Sequence, residues 1–289
     1  MIFFCISILM YFLQNFSNKQ FGRICGKSSA AISLMQNGIC TLCAALVLVL
    51  FGNISLMPLK ITVFAFAFGG AYLLTVFLLL KAFMYGSMGG STLLCNIGMF
   101  ISAFYGVIKF GDEFSLSIAA GTVLMLMAVI LSAPKNENDE KADKKWFVYA
   151  LGSGIANGIV ASIKREAVDM MPDNINNFLC WGFIFAALIA FFAIMTNNHR
   201  KTEVAVCAKN KKLILFGIFA GVGTAGGNLF QMYALKTVSS AIVYPFTAGT
   251  LVIVLYLASL LLYKETKLKI KNLLAVILCV AAIAVINIV

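Results

Sequence analysis

The chain has 289 residues, 62% of them hydrophobic and 11% charged, with a mean hydropathy of +0.97. A soluble protein is roughly half apolar and about a quarter charged, and no soluble fold of this size hides so much apolar surface. The net charge of +11 does not mark a nucleic-acid binder, because Lys and Arg lie mostly in short loops and form no basic stripe interleaved with aromatics.

Ten apolar segments follow along the chain, over residues 2–21, 29–51, 61–82, 86–109, 115–133, 146–164, 175–196, 212–234, 239–263 and 269–288. Most reach the ~20 residues that cross a bilayer core as helix. They are apolar on every side, which excludes the alternation of a membrane β-barrel. The first is the weakest: Gln14, Asn15, Asn18 and Lys19 follow its apolar start. It has no basic leader and no clear cleavage site, so it reads as helix 1 and not as a signal peptide. Residues 134–145 are highly charged and split the segments five and five; residues 197–211 read as a second long loop.

The two halves carry a faint repeat. Aligning Glu113 with Glu265 also aligns Leu116 with Leu268, Ile118 with Ile270 and Leu126 with Leu278. A repeat of five spans is odd-numbered, so its second copy lies upside down, as in many secondary transporters. The expected fold is therefore all-α integral membrane, ten transmembrane helices as two inverted five-helix repeats. The repeats are 1–133 and 146–289, with 134–145 as a charged linker.

The chain resembles the drug/metabolite transporter superfamily, of the ten-helix EamA-like kind. The resemblance is carried by Gly111-Asp112-Glu113 and Tyr263-Lys264-Glu265, each followed by a closing apolar helix, and by Tyr244-Pro245-Phe246 early in helix 9. It implies a central cavity between inverted halves and the export or exchange of small metabolites or drugs at the plasma membrane. It also implies both termini inside. The charge count points the other way, with 17 Lys and Arg in odd-numbered loops against 5 in even-numbered ones, which places the odd loops in the cytoplasm.

None of the eleven carboxylates lies within an apolar segment, so a midplane proton relay is not expected. The deep polar groups are amides: Gln36, Asn37, Asn96, Asn157, Asn228 and Gln231. Asn228 and Gln231 share a helix face. Each amide must face protein or a wet cavity, and together they are the candidate substrate-binding set, with Tyr244 and Trp181. Glue between helices is the alternative for any one of them. Amides donate and accept, so they suit a polar or zwitterionic solute. Pro245 is expected to break helix 9, matched in helix 4 by Gly89, Gly90, Ser91 and Thr92. Gly154/Gly158, Gly217/Gly221 and Gly223/Gly227 have the spacing of close helix contacts.

Trp146 and Tyr149 fit an interfacial anchor. Lys19 and Lys164 snorkel to an interface; retained inside, either would bind an anion. Cys40 and Cys43 form a CxxC without a second pair or a flanking His, so they read as small residues on one helix face. No metal, cofactor or enzyme motif is found. Expected partners are a small-molecule substrate, the lipid bilayer and a second copy in a homodimer; helices 5 and 10, with hardly any polar residues, either brace the halves or contact that second subunit. The rival function is a non-transporting polytopic scaffold or receptor module.

Overall fold

The computed structural model describes residues 2–26, 29–52, 54–85, 88–111, 115–132 and 144–258, together with 274, 277, 278, 280–282 and 285. Glu113, Glu265, residues 134–143 and most of the tenth segment lie outside the described residues. Among the described residues the secondary structure is helical: α1 (Ile2–Cys25), α2 (Ala30–Leu50), α3 (Leu59–Tyr85), α4 (Met88–Asn96), α5 (Gly98–Phe110), α6 (Leu116–Ser132), α7 (Lys144–Met170), α8 (Ile175–Met195), α9 (Asn198–Cys207), α10 (Lys211–Leu235) and α11 (Ser240–Ala258). In hydrocarbon every backbone group must be bonded within the protein, and long apolar runs meet that demand as helices. Polar residues set the ends. Ser29 accepts from the Ile32 N–H at 3.1 Å and starts α2. Gly111, at φ +66°, closes α5 in the left-handed conformation that glycine takes without strain.

Among the described residues six helical spans are long and apolar enough to cross a membrane: Ala30–Leu50, Leu59–Tyr85, Gly90–Phe110 (which runs across the junction of α4 and α5), Lys144–Met170, Ile175–Met195 and Lys211–Leu235. Three differences from the sequence reading have local causes. Segment 86–109 is two helices, α4 and α5, meeting at Ile97. Segment 197–211 is not all loop: Asn197 accepts from the N–H groups of His199 and Arg200 and caps the short α9. Pro245 does not break its helix, because α11 runs through it from Ser240. Only about one turn precedes Pro245, so the carbonyl left without a donor, that of Ala241, belongs to a helix end.

The most extensive helix contacts join α1 to α10, α3 to α7 and α2 to α8. Lipid is as apolar as leucine, so close packing must hold these pairs rather than burial from water. Glycines permit it. A Cβ at Gly223 would lie 2.6 Å from both the Gln14 N and the Met10 O of α1, and one at Gly154 would lie 2.6 Å from the Leu94 O of α4. Gly221 meets the Cys40 carbonyl and the Cys43 Cβ, so the CxxC is a small-residue face of α2 against α10. Outside this packing, Leu46, Val63, Leu188 and Phe192 are exposed, an outer surface suited to lipid.

Candidate functional site

A cavity of about 780 Å3, its open mouth included, lies where α1, α3, α4, α7, α10 and α11 converge. Five of the expected residues line it: Asn96, Asn157, Asn228, Gln231 and Tyr244. Three do not. Gln36 lies at a second cavity of about 660 Å3 near the end of α1, where its Nε2 donates to Asn18 Oδ1 at 2.6 Å. Asn37 is fully buried in α2 and lines neither cavity. Trp181 donates to the Ser55 carbonyl at 3.0 Å, outside both cavities. Trp146 is also not an interfacial anchor: it is buried, and its indole donates to Ser91 Oγ at 2.9 Å.

One wall of the central cavity is a hydrogen-bonded chain. Gln14 Nε2 donates to the Tyr72 hydroxyl at 2.7 Å, which lies 3.1 Å from Thr224 Oγ1. Asn228 Nδ2 donates to the Thr224 carbonyl at 2.9 Å. The Tyr11 hydroxyl donates to Gln231 Oε1 at 2.9 Å. On the opposite wall, Asn157 Nδ2 donates to the Cys95 carbonyl at 3.3 Å and the Tyr244 hydroxyl to the Ala161 carbonyl at 2.6 Å. Three buried polar atoms of the lining have no hydrogen-bond partner among the described residues: Asn15 Oδ1, Thr92 Oγ1 and Asn96 Nδ2. Buried polar atoms in native proteins are nearly always satisfied, so these are open to water or a solute.

Lys164, one turn and a half before the end of α7, reaches into this cavity and is only 4% exposed. It does not snorkel. Its ammonium donates to Gln231 Oε1 and, at 3.2 Å, to Asn228 Oδ1. It lies 3.5 Å from the Tyr11 hydroxyl and 5.8 Å from the centre of the Tyr244 ring.

α1 supplies what the sequence reading missed. Tyr11, Gln14 and Asn15 face the central cavity, while Asn18, Lys19, Gly22 and Arg23 face the second. The i, i+3, i+4 spacing of these residues marks one helix face and was the available signal. A different arrangement binds α7 to α5: Lys109 and Tyr105 both donate to Glu166, and the Arg165 guanidinium stacks 4.3 Å over the Phe110 ring.

The EamA-like transporter family matches residues 144–288. The chain belongs to that family. It is accordingly a membrane transporter of the drug/metabolite superfamily kind. A solved crystal structure superposes with a TM-score of 0.67 at 12% identity, over 99% of this chain and 95% of that chain. At that identity the likeness establishes the fold alone. No curated protein matches.

Proposed function

We propose that this EamA-like protein is a secondary transporter that moves a small polar organic solute across the plasma membrane by alternating access, as an exporter or exchanger. The observation that carries the reading is the central cavity, lined by polar side chains from both halves of the chain and holding three polar atoms, on α1 and α4, that have no partner among the described residues. A scaffold or receptor module has no need of such a chamber, since unsatisfied amides in a membrane interior are costly.

The helix pairings support two inverted repeats, 1–133 and 146–289, joined by 134–145. In a five-plus-five scheme α1 corresponds to α7, and α3 to α10. The duplication then exchanges the α1–α10 contact for the α3–α7 contact, and both are among the most extensive in the molecule. The α2–α8 contact maps onto itself. The substrate-binding set is Asn96, Asn157, Asn228, Gln231 and Tyr244, with Lys164, Tyr11, Gln14 and Asn15 added.

The test is uptake and counterflow of radiolabelled small metabolites in proteoliposomes, with single cysteines at Asn157 and Gln231 in a cysteine-free background. Labelling from either side of the membrane, in proportions shifted by a transported solute, is the expected result. Labelling from one side only, with no solute moved, would mark a scaffold.

A further inference from the structure

We infer that Lys164 is the counter-ion for a singly negative substrate, so that the solute carried is a small organic monocarboxylate and not a neutral or cationic drug. The inference rests on the transport reading of the central cavity and narrows it to one chemical class.

The argument starts from charge balance. Lys164 is the one formally charged residue among the described lining residues, and no carboxylate is among them. Its contacts are an amide oxygen from each of Asn228 and Gln231, the Tyr11 hydroxyl and the face of Tyr244. Neutral dipoles soften the loss of hydration but do not cancel a charge, and an uncompensated buried ion is strongly unfavourable. The nearest acidic residue on the same helix, Glu166, is engaged by Lys109 and Tyr105 of α5. It is not available as a partner for Lys164.

A substrate that brings one negative charge restores neutrality, and a carboxylate matches an ammonium in charge-assisted hydrogen bonds. A phosphate monoester carries roughly −1.5 to −2 at neutral pH and would leave excess negative charge against a single lysine. An amine or quaternary ammonium would place like charges together with no acidic residue to offset them. The rest of the lining describes the rest of the molecule. Val76, Leu79 and Leu251 offer apolar contact. Asn96 Nδ2 and Asn15 Oδ1, which have no partner, offer one donor and one acceptor to a hydroxyl or keto group beside the apolar body.

The test uses matched probes on the purified protein in detergent, read by thermal melting and by equilibrium binding. The probes are lactate, hexanoate and benzoate, the amides of the same three skeletons, and hexylamine and benzylamine. At least one carboxylate should stabilise the wild type while its amide and amine do not. Lys164→Gln should weaken carboxylate binding roughly 10- to 150-fold, the span expected for a hydrogen bond to a charged group, and Lys164→Arg should keep most of it. If Lys164→Gln does not fold, the wild-type comparison of carboxylate, amide and amine decides alone. Amides or amines binding as well as carboxylates would overturn the assignment, as would unchanged carboxylate affinity in Lys164→Gln or no binding by any probe. Carboxylate binding without movement across proteoliposomes would instead sink the transport reading and leave the anion site. Transport of a neutral or cationic solute, without carboxylate binding, would do the reverse.

Discussion

α7 presents two charged residues two positions apart, and they meet opposite surroundings. Glu166, with its side chain 9% exposed, is engaged by Lys109 and Tyr105 of α5. Lys164, 4% exposed, meets only uncharged groups of α1, α10 and α11. The first charge has its partner built into the chain and fastens one helix to another. The second has none and is left for something that enters. A buried pair and a buried single charge thus mark two kinds of region, a clamp and a receptor, on one helix.

The severest disturbance should come from neither charge but from the packing that frames the receptor. A valine at Gly223 would press its Cβ against backbone atoms of Met10 and Gln14, which cannot rotate away. Gly223→Val is expected to cost about 3 kcal/mol, the upper end of the usual cost of overpacking, seen as loss of the folded fraction or a large fall in Tm, while the α5–α7 clamp lies elsewhere. A melting temperature within a degree or two of wild type would mean that α1 is not held as closely as described.

The sharpest contrast is between Lys164→Met and Lys109→Met. Removing an unpaired buried charge should leave Tm unchanged or raise it while weakening carboxylate binding at least as much as Lys164→Gln does. Removing Lys109 leaves the Glu166 carboxylate without its cation and should lower Tm modestly, since the lysine is half exposed and its pairing is screened by water, with binding intact. Adding Glu166→Gln should recover that loss. Equal effects of the two lysine variants on Tm and on binding would erase the distinction.

Alanine at Asn228 or Gln231 should weaken substrate binding by about 1–3 kcal/mol, roughly five- to 150-fold, with folding checked by melting. Two well-folded variants with unchanged transport would make these amides helix glue. The smallest effect is expected at Trp181, whose indole bonds the Ser55 carbonyl away from the cavity. Trp181→Phe should cost under about 1 kcal/mol of stability and leave affinity unaltered.

Much of this was legible in the residues. Apolar run lengths located the six described spans that suit a membrane, and the glycine spacings on α7 and α10 pointed to the faces where other helices approach. Asn228 and Gln231 shared a face by spacing alone, and the fold set that face against the cavity. Lys164 was harder. A lysine six residues from a helix end reads as one that snorkels, and only the position of α1 and α11 around it shows that the way out is closed. Trp181 and Trp146 failed as sequence signals for a related reason. Depth in a segment does not say which neighbour a ring meets, and a tryptophan near a helix end packs inward when a serine such as Ser91 stands opposite. Pro245 misled because the start of α11, not the proline itself, decides whether a missing donor matters.

The polar face of α1 has a consequence for how the chain is made. α1 has 24 residues, yet it is not among the six spans of the described residues whose length and composition suit a membrane crossing. Two of the groups that satisfy it come much later: Ser7 Oγ donates to the Gly227 carbonyl and Tyr11 to Gln231, each across 220 residues of chain. At about 5–20 residues per second that gap is roughly 10 to 45 s of synthesis. Gln14 and Asn18 meet Tyr72 and Gln36 of the early helices, but for that interval Ser7 and Tyr11 lack these partners, so the final seating of the first helix must wait for α10. A ribosome stalled before Gly223 would hold a chain whose first helix has its bonds to α2 and α3 but none of those to α10.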